Sequence, residues 1–135
     1  MLWTNMDYIR DDPEELTSVI RDIAIVNIQK LPSKNVTKTE FKDISNAFDK
    51  YKDILKSQID VLNPDILITA NTMKLYKGIF DLNTEKANYK ESITYYFING
   101  KLYVDAFHPA QTQVNRKTYV DDIITAAKEW YERRK

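Results

Sequence analysis

His108 is the only histidine in the 135-residue chain, and it opens a His108-Pro109 step just after the apolar run Leu102 to Phe107. A histidine so placed can donate a hydrogen bond to an oxygen that gains negative charge during a reaction. The bland alternative is a loop histidine satisfied by backbone. Asn27 ends another apolar run, Ile23-Ala24-Ile25-Val26, and Asn71 follows a third, Ile66 to Ala70. An amide offers a donor and an acceptor side by side, which suits it to reading the edge of a polar ring. An asparagine at a strand end also bonds readily to nearby backbone. Arg116 and Lys117 close a polar loop with Gln111, Gln113 and Asn115. That composition suits phosphate contacts and equally suits any exposed loop. Asp105 can orient a histidine, but strand alternation puts it on the face of Tyr103 and Phe107, which favours a structural role.

Other chemistries are excluded by residue type. There is no cysteine and one histidine, so neither a disulfide framework nor a cysteine- or histidine-rich metal site is available. Glycine occurs only at Gly78 and Gly100, so the clustered glycines of phosphate-cradling and dinucleotide loops are missing. No cofactor is expected. Twenty basic and twenty acidic residues cancel, which argues against a strong global field for nucleic acid and leaves room for a local basic face. No stretch approaches the roughly 18 apolar residues of a membrane span. The start, MLWTNMDYIRDD, does not read as a signal peptide. A cytoplasmic protein with no membrane partner is expected.

The elements that must position these residues can be read in order. Asp12-Pro13-Glu14-Glu15 starts a short helix with a capping-box spacing. Ile23 to Val26 is a continuous apolar run, as in a strand covered on both faces. Thr37 and Glu40 cap a long helix whose apolar stripe is Phe41, Ile44, Phe48, Tyr51, Leu55, Ile59 and Leu62. Asn63-Pro64 stops it. Ile66 to Ala70 is a second buried strand, and Asn71-Thr72 opens a short helix. Asn99-Gly100, between two β-rich runs, is the strongest short hairpin signal. A last helix begins near Thr118, with Val120, Ile123, Ile124, Ala127, Trp130 and Tyr131 as its buried stripe. This alternation predicts a single α/β domain, a three-layer α/β/α sandwich on a small mixed, mainly parallel sheet. The strands at Ile23 and Ile66 are expected to be parallel neighbours through a right-handed crossover. Asn27, Asn71 and His108 then gather where such sheets bind ligands, at the carboxyl ends of parallel strands.

Three pieces in this order resemble the uracil-DNA glycosylase superfamily: Ile25-Val26-Asn27, then Leu62-Asn63-Pro64-Asp65-Ile66-Leu67-Ile68, then Asp105-Ala106-Phe107-His108-Pro109-Ala110. The likeness runs from about Ile20 to the C-terminus. It implies that Asn27 and Asn71 read an extruded base, that His108 stabilises the departing base anion, and that Arg116 and Lys117 meet the DNA backbone. Two departures stand against catalysis. No glycine-built, water-activating loop precedes Asn27, and the family's His-Pro-Ser is His-Pro-Ala here. The resemblance therefore implies a shortened or degenerate relative that recognises a base or DNA and is weak or inactive as a glycosylase. The other reading is a non-catalytic binding or assembly module on the same fold. DNA and a second copy of the chain are the partners these two readings allow.

Overall fold

The computed structural model describes Ser18 and residues 21–30, 40–82 and 86–135. The helix start at Asp12 and the capping residue Thr37 lie outside the described residues. Helix α1, Phe41–Leu62, carries the expected stripe, with Phe48 and Leu55 buried. Asn63 ends it in the left-handed conformation, φ 42°, a geometry that asparagine tolerates better than most residues. Strand β1, Ile66–Ala70, leads into a 3₁₀ helix, Met73–Gly78. Strands β2 (Asn88–Tyr89), β3 (Ile93–Ile98) and β4 (Lys101–Ala106) follow, then helix α2, Arg116–Arg133.

The Asn99-Gly100 hairpin forms as expected. Both residues have positive φ, 50° and 76°, and Ile98 pairs with Lys101 across the turn. These are the signs of a type I′ turn, whose twist matches that of the strands it joins. The sheet order is β1-β4-β3-β2. β1 and β4 are parallel, while β3 pairs antiparallel with both β4 and β2. The fold is thus α/β on a small mixed sheet, but antiparallel pairing predominates.

The largest correction concerns Ile23 to Asn27. No strand forms there; these residues are irregular, and Ile25 is 86% exposed. An apolar run does not specify a strand by itself, because it must find an edge to pair with. β1 takes β4 as its parallel partner instead, so the crossover runs through the 3₁₀ helix and the hairpin.

Alternation divides the sheet into two faces. Ile93, Tyr95, Leu102, Val104 and Ala106 meet Ala126, Ala127 and Trp130 of α2. Tyr96 and, partly buried, Leu67 and Tyr103 join Phe48 and Leu55 of α1 and Met73 and Tyr76 of the 3₁₀ helix. The hairpin aromatics Tyr95 and Tyr96 are therefore core. α2 begins at Arg116, two residues earlier than expected, because Asn115 caps it: its Oδ1 accepts from the Thr118 N–H at 2.8 Å. Asp122 consequently lies beyond the first turn, where it accepts from the Ser92 N–H (2.9 Å) and Oγ (2.7 Å). Among the described residues, no helix is long and apolar enough to cross a membrane.

A second tie between α2 and the sheet is polar. Glu129 accepts from the Tyr95 hydroxyl at 2.8 Å and from Lys90 Nζ at 3.2 Å. Burial alone pushes the Glu129 carboxyl up, but the hydrogen bonds from Tyr95 and Lys90 and the Lys90 charge outweigh it and hold the group below its ordinary value. Burial, and then the hydrogen bond to Glu129, pushes the Tyr95 phenol up. The sign follows from linkage. A carboxyl depressed in the folded state contributes stability above its unfolded value, and loses that contribution as pH falls through the lower, folded value. Wild-type stability should therefore fall on acidification below the ordinary carboxylate range. Glu129→Gln should flatten that acid limb by a slope of at most about one proton. Urea unfolding at a series of acidic pH values measures both, and an unchanged limb would remove Glu129 from the account.

Candidate functional site

Two parts of this fold are open to a partner. The first is the rim at the carboxyl ends of β1 and β4, where the parallel pairing brings Asn71 and His108 to the same side. The Asn71 N–H donates to the Ala106 carbonyl at 2.8 Å, extending the β1–β4 ladder by one bond. Asn71 itself is exposed at φ 57°. Its position answers a turn requirement, since asparagine enters the left-handed region with little penalty.

His108 is exposed. Its carbonyl accepts from the Gln111 N–H at 2.8 Å, which closes a β-turn with Pro109 at the position that proline favours. The imidazole Nδ1 accepts from the Ala110 N–H at 3.1 Å. In that tautomer the proton is on Nε2, which points its donor capacity outward. Gln111 then fixes the rest of the loop. Its Oε1 accepts from the N–H groups of Gln113 (2.5 Å) and Val114 (3.0 Å), and its Nε2 donates to the Val114 carbonyl at 3.1 Å. The Tyr119 hydroxyl donates to the Phe107 carbonyl at 3.0 Å from α2. The loop is thus built, not slack.

Asp105 does not reach toward His108. Its Oδ1 accepts from Thr69 Oγ1 at 2.7 Å and from the Met73 N–H at 3.3 Å. It ties β4 to β1 and holds the start of the 3₁₀ helix, which is the structural role that alternation favoured. Arg116 and Lys117 lie exposed in the first turn of α2, beyond the same loop, and Lys117 pairs with Asp121 one turn on.

Asn27 does not belong to this rim. With no strand over Ile23 to Val26, nothing in the sheet carries it there. Ala24, Ile25 and Val26 instead line an apolar groove of about 630 Å³ with Ile54, Gln58 and Val61 of α1. Lys30 Nζ donates to Gln58 Oε1 at 2.7 Å along the same flank. The expectation that Asn27 and His108 frame one pocket is corrected accordingly; the structure joins only Asn71 and the His108 loop.

The second open part is the edge at β1. β1 ends the sheet, and among the described residues it pairs only with β4. Its sequence, Ile-Leu-Ile-Thr-Ala, has no charge and no proline. Edge strands are ordinarily protected by such residues, because their unpaired N–H and C=O groups template further pairing. Ile68, facing the α2 side, is 53% exposed.

The apolar groove overhangs this edge. A smaller groove of about 220 Å³ lies on the other flank of α1, where Lys56, Asp60 and Asn63 meet Phe80, Leu102 and Tyr103. That flank therefore faces β4. Ile54, Gln58 and Val61 each precede one of those three residues by two positions, about 200° around the helix. They look the opposite way, past β1. Ile54 is 53% exposed and Val61 86%. The only sequence signal for this edge was the uncharged run Ile66 to Ala70, and it reads as an interior strand.

Comparison of the chain with protein-family models, with curated proteins and with solved structures finds no match.

Proposed function

We propose that the chain is a non-catalytic binding or assembly module that engages its partner through the β1 edge. The observation that carries this is the edge itself: an uncharged apolar strand, open on one side, beneath an apolar overhang. Main-chain groups there supply affinity for any extended segment, and Ile68 and the groove supply side-chain contacts. An end-capped peptide of alternating Val and Thr, with a lysine at each end, is the probe. Backbone NMR should show shifts confined to residues 66–70 and to the groove residues. A peptide that binds elsewhere, or not at all, overturns the proposal.

A second reading keeps base recognition, favoured by the shared rim of Asn71 and the outward Nε2 of His108 with Arg116 and Lys117 beyond the loop. It predicts weak, salt-sensitive binding to single-stranded DNA, because phosphate contacts release counterions. A uracil-containing oligonucleotide tests it by anisotropy and by base release. The expected result is neither binding nor release. Release that disappears in His108→Ala would restore the rim as an active site.

A further inference from the structure

The β1 edge has a property that narrows its partner. α1 runs antiparallel to β1 over one face of the sheet. Phe48, in its first half, meets Tyr76 beyond the carboxyl end of β1, with ring centroids 4.9 Å apart. Asn63, at its end, accepts from Lys101 Nζ at 2.5 Å, at the amino end of β4. The end of α1 and the start of β1 are thus on one rim, joined by Asn63-Pro64-Asp65.

Heights above that rim can be compared. Ile68 is two residues into β1, about 7 Å up at the rise of a strand. The midpoint between Ile54 and Val61 lies four to five residues before Leu62, also about 7 Å up at the rise of a helix. The centre of the exposed strand and the centre of the exposed helix flank are therefore level.

We infer that this edge is a two-fold interface between copies of the chain, with the axis perpendicular to the sheet through Ile68. The inference rests on the proposal that the β1 edge is where the chain docks. An isologous contact needs one surface that complements itself under rotation. Antiparallel pairing of β1 with its copy sets Ile68 against Ile68, Leu67 against Thr69 and Ile66 against Ala70. The same axis lays the two α1 helices side by side and antiparallel, with Ile54 of each copy against Val61 of the other. Ile25, 86% exposed on the groove wall, is covered by the same movement. A single added strand would cover Ile68 and leave Ile54 and Val61 open.

Charge permits the contact. β1 carries none, the flank between Ile54 and Val61 presents Ser57 and Gln58, and the formal charge of the chain is zero. Two copies therefore approach without net repulsion.

The chain has no cysteine, which makes the axis directly testable. In Ile68→Cys the two thiols face each other across the axis. Directly opposed residues of an antiparallel pair have Cβ atoms about 5 Å apart, within a small shift of disulfide geometry. Mild oxidation of the full chain should give a covalent dimer, while Lys128→Cys, on the outer face of α2, should not. Sedimentation velocity should show a concentration-dependent dimer for the wild type. Val61→Lys and Ile68→Lys change exposed side chains and leave folding intact by circular dichroism. Each should weaken the dimer about tenfold or more by burying a charge at the axis. A wild type that stays monomeric at every concentration overturns the inference. So does a dimer that Ile68→Cys fails to cross-link. If the Val–Thr peptide still binds in either case, the edge remains a docking site and only the symmetric partner is lost. If the peptide fails too, both fall.

Discussion

Trp130→Ala is expected to cost about 3–5 kcal/mol, the range for removing a large buried aromatic side chain. Natural domains of this size are stable by only about 5–15 kcal/mol, so the variant should be largely unfolded at modest urea. Trp130 is 5% exposed and lies in the cluster of Leu102, Val104 and Ala126. Its indole Nε1 donates to the Gly100 carbonyl at 2.8 Å, so one side chain anchors α2 to the tip of the hairpin. Arg134 lies over the indole, 4.6 Å from the ring centroid, and shields it at the helix end. Truncation removes packing and the indole donor at once. Trp130→Phe separates the two, keeping most of the apolar contact while losing the donor, and should cost only about 1–2 kcal/mol. Urea denaturation measures both. Equal losses would place the whole effect in the hydrogen bond and overturn the packing account.

Leu55→Ala is the second large effect, at about 2–5 kcal/mol. Leu55 is fully buried and, with Phe48, is one of the two α1 residues in the core beneath that helix. Its loss leaves a cavity between α1 and the Tyr96–Tyr103 face of the sheet. The hairpin and α2 have their own cluster on the opposite face, so the damage should be uneven. Hydrogen exchange should rise across α1 and β1 more than across β3 and β4. Uniform loss of protection would show that both faces unfold as one unit.

This division also explains what the sequence made legible. The Asn99-Gly100 turn was readable because its geometry is a local demand on two residues. The stripe of α1 was readable because helical period repeats over six turns. Ile23 to Val26 was misread because a buried-strand composition states a need for cover without naming what supplies it. Ile25 and Ile23 remain more than half exposed. At the rim, the turn at His108-Pro109 and the placement of Asn71 followed from local chemistry and parallel pairing. The separation of Asn27 from that rim did not, because it depended on which strand β1 chose as its neighbour. The roles of Gln111, Asp122 and Glu129 were invisible for the same reason. Each side chain serves a partner fixed only by tertiary packing.

The sheet order has one more consequence, in the entropy of closing the chain. β3 and β4 meet across a two-residue turn, whereas β1 reaches β4 across the thirty residues from Asn71 to Gly100. Loop-closure cost grows as the logarithm of length, which makes the β1–β4 closure costlier by about 2 kcal/mol when each is formed alone. A hairpin already in place shortens the remaining loop and lowers that difference. The strand with the open edge is thus the one whose docking depends on earlier assembly, and its outward hydrogen-bonding groups become a defined template only after the hairpin beside it has closed.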